Sequence, residues 1–129
     1  NFKLNTGTWV AVGAVRAALV DAMGGLVRDA VIVGENAAEL GALLLLSDRA
    51  QTMPEAERMA ALTQALAQAA KAATGSASRV RRAAILPRAP SFELGEVTER
   101  GSLNQRAMRA GHQDLIAALY GDAPGCLRV

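Results

Sequence analysis

The chain has 129 residues, 51% of them apolar and 20% charged, with a formal net charge of +2, a profile that fits one soluble globular domain with its own core and excludes a disordered or two-domain segment. Aromatic residues make up only 3%, so there is no platform for stacking single-stranded bases, and the mild positive charge is no footprint for nucleic acid. Cys126 is the only cysteine, which excludes a disulfide framework and a cysteine metal site and makes a reducing compartment, the cytoplasm, the expected setting.

The longest apolar run, Leu40 to Leu46, is far below the roughly 20 residues of a spanning helix, so no membrane partner is expected. No signal peptide is visible, and the chain starts in mid-pattern, as a piece of something larger would. Apolar Phe2 and Leu4, then Asn5-Thr6-Gly7, then Trp9, Val10 and Val12 predict strand, turn, strand. Gly7 takes the last loop position, where a three-residue hairpin loop wants φ > 0. The hairpin carries the only Trp on a segment too short to bury it. The pattern breaks at Gly13, and Val15, Leu19, Ala22 and Met23 predict a helix that Gly24-Gly25 ends. Leu26 to Val33 reads as a strand with one apolar and one mixed face, and Leu40 to Leu46 as a strand covered on both faces in the middle of a sheet.

Thr52 with Glu55, and Pro54 in the first turn, predict a capped helix running to about Ala73, with Met59, Leu62, Leu66, Ala69 and Ala73 as its apolar stripe. Val80 to Leu86 returns to strand and stops at Pro87. Pro87 to Gly101 is irregular, a loop long enough to be functional. Ser102 with Gln105 is a second capping-box signature, opening a helix to Tyr120 with Met108, His112, Leu115 and Leu119 on one face; the tail from Gly121 has little pattern. The order ββαββαβ, then loop and helix, predicts an α+β fold with a small mixed β-sheet, an N-terminal hairpin and about three packing helices. Residues 1–129 form a single domain in this reading.

His112, the only histidine, lies on an apolar stripe with no Cys, second His or serine elbow to partner it, so a packing position is expected. Arg79, Arg81 and Arg82 read as a solvated strand face in preference to a phosphate site. The loop from Pro87 to Gly101 is either a connector or an arm that delivers a charged side chain, Arg100, to a neighbouring active site, where a cation stabilises developing oxygen charge.

Two stretches together carry a resemblance. FKLNTGTWVAVGAVR followed by LVRDAVIVGEN resembles the start of the small C-terminal domain of adenylate-forming acyl-CoA synthetases. SFELGEVTERGSLNQRAM is similar to the end of that domain in the feruloyl-CoA synthase branch, and the likeness runs from Phe2 to about Tyr120. It implies the mobile lid of an ATP-dependent, AMP-forming aromatic-acid CoA ligase. Its partners would be its own large N-terminal domain, ATP with Mg2+, coenzyme A and an aromatic carboxylic acid. In such enzymes the lid rotates between an adenylation pose, which inserts a loop lysine, and a thioester pose, which turns the hairpin toward the CoA channel. Asn1 then lies at or just past the hinge, Gly7, Thr8 and Trp9 match the hairpin loop along the pantetheine path, and Val12 and Gly13 match the end of its second strand. The position of the family's lysine falls on Arg100. The chain's lysines, Lys3 and Lys71, lie outside that loop, and Arg in place of Lys is bulkier and forked at a tight site. With no phosphate-cradling glycine loop, the isolated chain is expected to be inert, and no metal site is expected in it. The alternative is a non-catalytic α+β module whose loop and Arg run bind a partner protein or nucleic acid; a phosphate-loop-bearing reading frame upstream of Asn1 would decide between the two.

Overall fold

The computed structural model describes all residues, 1–129. A short antiparallel hairpin, β1 (Phe2–Lys3) and β2 (Trp9–Val10), leads straight into helix α1 (Val12–Ala22). Val12 and Gly13 therefore belong to the helix and not to the second strand. The two-residue strands place Phe2 and Val10 in the core while Lys3 and Trp9 face out.

The main sheet has the order β3-β4-β5-β6, built from β3 (Val27–Val33), β4 (Leu40–Leu46), β5 (Val80–Ile85) and β6 (Leu127–Arg128). β3 and β4 run antiparallel, β4 and β5 parallel, β5 and β6 antiparallel, so the predicted mixed sheet is present. β4 sits inside, and its Leu43 and Leu44, which point to opposite faces, are both fully buried. The parallel crossover from β4 to β5 runs through α2 (Asp48–Thr52) and α3 (Glu55–Ala72). The last elements before β6 are α4 (Gln105–Gly111) and α5 (Gln113–Tyr120).

The core divides by strand parity. Ala30, Ile32, Ala42 and Leu44 pack with the hairpin, α1 and α3 through Val10, Leu19, Leu62 and Leu66. Val31, Val33, Leu43 and Ala84 pack with α4 and α5 through Met108 and Leu119. Period-2 alternation thus places helices on both faces of the sheet.

Several expected details differ. The supposed mixed face of β3 is buried except at Arg28, because the hairpin, α1 and α3 cover Ala30 and Ile32 on that side. Thr52 closes α2, which Ser47 caps by accepting from Ala50 N at 3.2 Å, and Pro54 stands at the N-cap of α3 without a side-chain bond. The Thr52–Glu55 box therefore does not form. At the second box, Asn104 and not Ser102 is the cap, accepting from Ala107 N. The final helix is two helices, broken at His112 (φ −127°, ψ 33°), which brings the helical segments to five. The patternless tail supplies edge strand β6.

Candidate active-site elements of the domain surface

The loop between β5 and α4 is built from both ends by buried carboxylates. Asp29, on β3, accepts from Arg16 Nε of α1 at 2.6 Å, from Ala30 N at 2.7 Å and from Leu103 N at 2.9 Å. Burial pushes the Asp29 pKa up, but the Arg16 hydrogen bond and the two N–H donors outweigh it and hold the group below the usual carboxylate range. Glu96, 2% exposed, takes both Nη groups of Arg88 at 2.7 and 2.9 Å and Ser91 N at 2.8 Å. The Arg88 guanidinium, with the Ser91 N–H, holds its pKa down to about 2 against the opposing effect of burial. A bidentate guanidinium is the strongest partner a carboxylate can find among side chains.

Gln105 completes the anchoring. Its Nε2 donates to Ala30 O and its Oε1 accepts from Ile32 N, each at 2.9 Å. The side-chain amide stands in for a strand on the outer edge of β3, which otherwise offers unpaired backbone groups. Helix α4 is thereby fixed to the sheet at its first residue.

Between these anchors the chain makes a tight excursion. Thr98 N donates to Ser102 O at 2.8 Å, Gly101 N donates to Thr98 O at 2.9 Å, and the Thr98 and Ser102 hydroxyls pair at 2.8 Å. Gly101 has φ +83°. The N-terminal hairpin repeats the design: Leu4 N donates to Thr8 O at 3.0 Å, Gly7 N to Leu4 O at 2.9 Å, the Thr6 and Thr8 hydroxyls pair at 2.9 Å, and Gly7 has φ +84°. Both are three-residue loops closed by a left-handed glycine, where a β-branched residue would be strained.

The first loop offers Asn5, Thr6 and Gly7 at its tip and Trp9, 64% exposed, beside it under Lys3 Nζ, 4.7 Å from the ring centroid. The second offers Glu99 and Arg100, both exposed. Arg100 makes no hydrogen bond or ion pair within the chain. Of the predicted site residues, Gly7, Thr8 and Trp9 thus lie together on one hairpin and Arg100 lies alone on the other turn. The two turns share a mount, since the hairpin bonds to the bend that follows β3 (Asn36 N to Lys3 O and Asn5 N to Ala37 O, each 2.9 Å) and the arm bonds to β3 itself. Lys3 is on β1 and Lys71 in the last turn of α3, so neither can stand in for Arg100 on the arm.

The basic run of β5 is not a solvated face. Arg79 donates to Ala70 O and Ala73 O at the end of α3, Arg81 donates to Val129 O, and buried Arg82 pairs with Asp122 at 2.6 Å and Glu39 at 3.4 Å. Only Arg81 is exposed. His112 is buried as a packing residue, with Nδ1 donating to Met108 O at 2.9 Å and lying 3.8 Å from Glu96 Oε2. No three His, Cys, Asp or Glu side chains are grouped to hold a metal ion, and no helix is long and apolar enough to cross a membrane.

Sequence reasoning missed Asp29, Glu96 and Gln105 as the arm's foundations, and the signal for the first was an acidic residue inside an apolar strand pattern.

Comparison with known proteins places this architecture. The model of the AMP-binding enzyme C-terminal domain matches residues 4–124. The chain belongs to that family. Among solved structures, the chain is similar to the adenylation domain of a carboxylate reductase from Mycobacterium chelonae, with a TM-score of 0.75 and 23% identity, covering 94% of this chain and 19% of that one. It is similar also to the A-PCP didomain of a carboxylic acid reductase from Segniliparus rugosus in complex with AMP, with a TM-score of 0.73 and 24% identity, covering 94% and 17%. The A domain of that reductase, with AMP and a co-purified carboxylic acid, gives the same score and identity and coverage of 94% and 20%. At these identities the likeness establishes the fold, and the chain spans about a fifth of those proteins. A search of curated proteins finds no match.

Proposed function

We propose that this domain is the mobile lid of an ATP-dependent, AMP-forming aromatic-acid CoA ligase of the feruloyl-CoA synthase type, working in the cytoplasm against its own large N-terminal domain. Arg100 is the cation of its adenylation loop, and the hairpin of Gly7, Thr8 and Trp9 lines the path of the CoA pantetheine arm.

One observation carries the reading. In the stretch Glu96 to Gln105 the residues with structural work are accounted for: Glu96 latches the loop, Thr98 and Ser102 close it, Gly101 turns it, Asn104 caps α4 and Gln105 seals the edge of β3. What remains at the tip is Glu99 and an unpaired Arg100. A loop fixed at both ends that holds a free guanidinium outward is preorganised to place positive charge at a site on another body.

During adenylation an acid carboxylate attacks the α-phosphate of ATP, the bond between the α-phosphorus and the bridging oxygen to the β-phosphate breaks, pyrophosphate leaves with that electron pair, and charge builds on the phosphate oxygens on the way. ATP with Mg2+ and coenzyme A would be held chiefly by the large domain. This domain adds a cation for the first half-reaction and a wall with one exposed indole for the second. The similar solved structures are adenylation domains of carboxylic acid reductases, which supports acid activation by adenylation, while the CoA acceptor rests on the likeness to the feruloyl-CoA synthase branch.

The test is product formation by the full-length parent. With ATP, Mg2+, CoA and a panel of hydroxycinnamates and benzoates, an aromatic acyl-CoA is expected, and residues 1–129 alone should give neither acyl-adenylate nor thioester. An aromatic acid that is adenylated but never transferred to CoA would remove the ligase reading and keep the family.

A further inference from the structure

Phe92 and Leu94 are 73% and 68% exposed, and with Trp9 they are the large apolar side chains that the fold leaves in water. They do not lie on a frayed segment. Ser91 N is bound by Glu96 Oε1 at 2.8 Å, Glu96 N by Ser91 O at 3.0 Å, Gly95 N by Phe92 O at 3.0 Å and Leu94 N by Ser91 Oγ at 3.2 Å. A turn so closely pinned, holding two large apolar groups outward with Glu93 between them, has the character of a contact surface and not of a slack connector.

Its position says which partner. Glu96 is the shared pivot of two turns: its carboxylate holds the Phe92 turn, and its carbonyl accepts from Asn104 N at 2.8 Å, at the base of the Arg100 turn. Whatever body receives Phe92 and Leu94 therefore fixes the placing of Arg100. The chain is a C-terminal domain and covers about a fifth of its structural neighbours, so the body beside it is the rest of the parent chain.

We infer that Phe92 and Leu94 are the apolar foot by which the arm seats on an apolar patch of the parent's N-terminal portion when Arg100 is delivered. This rests on the lid reading above. Burial of either side chain is worth about tenfold or more in a docking equilibrium, and both are needed because the arm is otherwise held only at its own base.

Two measurements on the full-length parent test it separately from the lid reading. First, Phe92 is replaced by the photo-crosslinking residue benzoylphenylalanine, and the cross-linked peptides are sequenced after irradiation. A cross-link to a peptide upstream of Asn1 is expected. Cross-links confined to residues 1–129, or a cross-linked species joining two copies of the chain, would overturn the inference. Second, the F92S/L94S variant should slow acid-dependent ATP–pyrophosphate exchange roughly tenfold or more while thioester formation from supplied acyl-adenylate is kept; unchanged exchange overturns the inference. If the unsubstituted parent shows no exchange with any acid, the lid reading fails by itself, and the cross-link still decides the docking.

Discussion

Asp29 and Glu96 are the residues on which the arm depends, and both gain their hold from being ionised. Removal of the Asp29 carboxylate leaves Ala30 N and Leu103 N as donors without an acceptor and frees Arg16. Each buried donor left unpaired costs about 1–3 kcal/mol, so Asp29→Ala should destabilise the domain by roughly 2–6 kcal/mol. The pH dependence has a fixed sign. Both carboxyls have folded pKa values below their unfolded ones, Glu96 at about 2, so as pH falls below about 4.3 the unfolded chain takes up protons first. Their stabilisation is complete near neutrality and is lost progressively between about pH 5 and pH 2. Thermal midpoints measured across that window should fall, and Glu96→Gln should give a lower midpoint at pH 7 with a flatter decline. An unaltered slope in Glu96→Gln would mean that the carboxylate is not the latch.

At the scale of elements, the same device serves twice: a three-residue loop whose last residue is a left-handed glycine. Gly7 has no atom within 4 Å of the place where a Cβ would stand, so a side chain there meets backbone strain but no clash within the domain. If the hairpin lines the pantetheine path as proposed, Gly7→Val in the full-length parent should lower thioester formation well below adenylation, because the added group strains the turn and stands in that path. Separate assay of the two half-reactions checks it, and equal loss in both would make the hairpin structural only. Gly7 was legible from sequence because the loop length and the glycine agree. The Ser102–Gln105 box was misleading because both side chains have other partners: Ser102 pairs with Thr98 within the turn, and Gln105 turns to β3. The break at His112 was hidden because Met108, Leu115 and Leu119 keep helical spacing across a single non-helical residue.

For the whole molecule, the sheet was readable from Leu40–Leu46, a strand apolar on both faces, and from the 3.6-residue stripe of α3, since burial alone determines those patterns. Strand β6 was not, because two residues, Leu127 and Arg128, carry no periodicity and pair only once β5 is in place. The candidate site divides in the same way. Its tips, Trp9 and Arg100, stand out in sequence as residues without local work, while the anchors Asp29 and Gln105 act across up to 75 positions of chain, and of the anchors only Asp29, acidic within an apolar strand, leaves a trace in the sequence. The central proposal is that the arm holds an unpaired cation, Arg100, at its tip for use on another body. The most direct measurement is ATP–pyrophosphate exchange by the full-length parent carrying Arg100→Ala or Arg100→Lys, with thioester formation from supplied acyl-adenylate followed in parallel. A preorganised cation at developing phosphate charge is worth roughly 2.7–4 kcal/mol, so Arg100→Ala should slow exchange by about two orders of magnitude and spare thioester formation. Arg100→Lys should keep or raise the exchange rate. Exchange undiminished in Arg100→Ala would contradict the account and leave the arm without its chemical role.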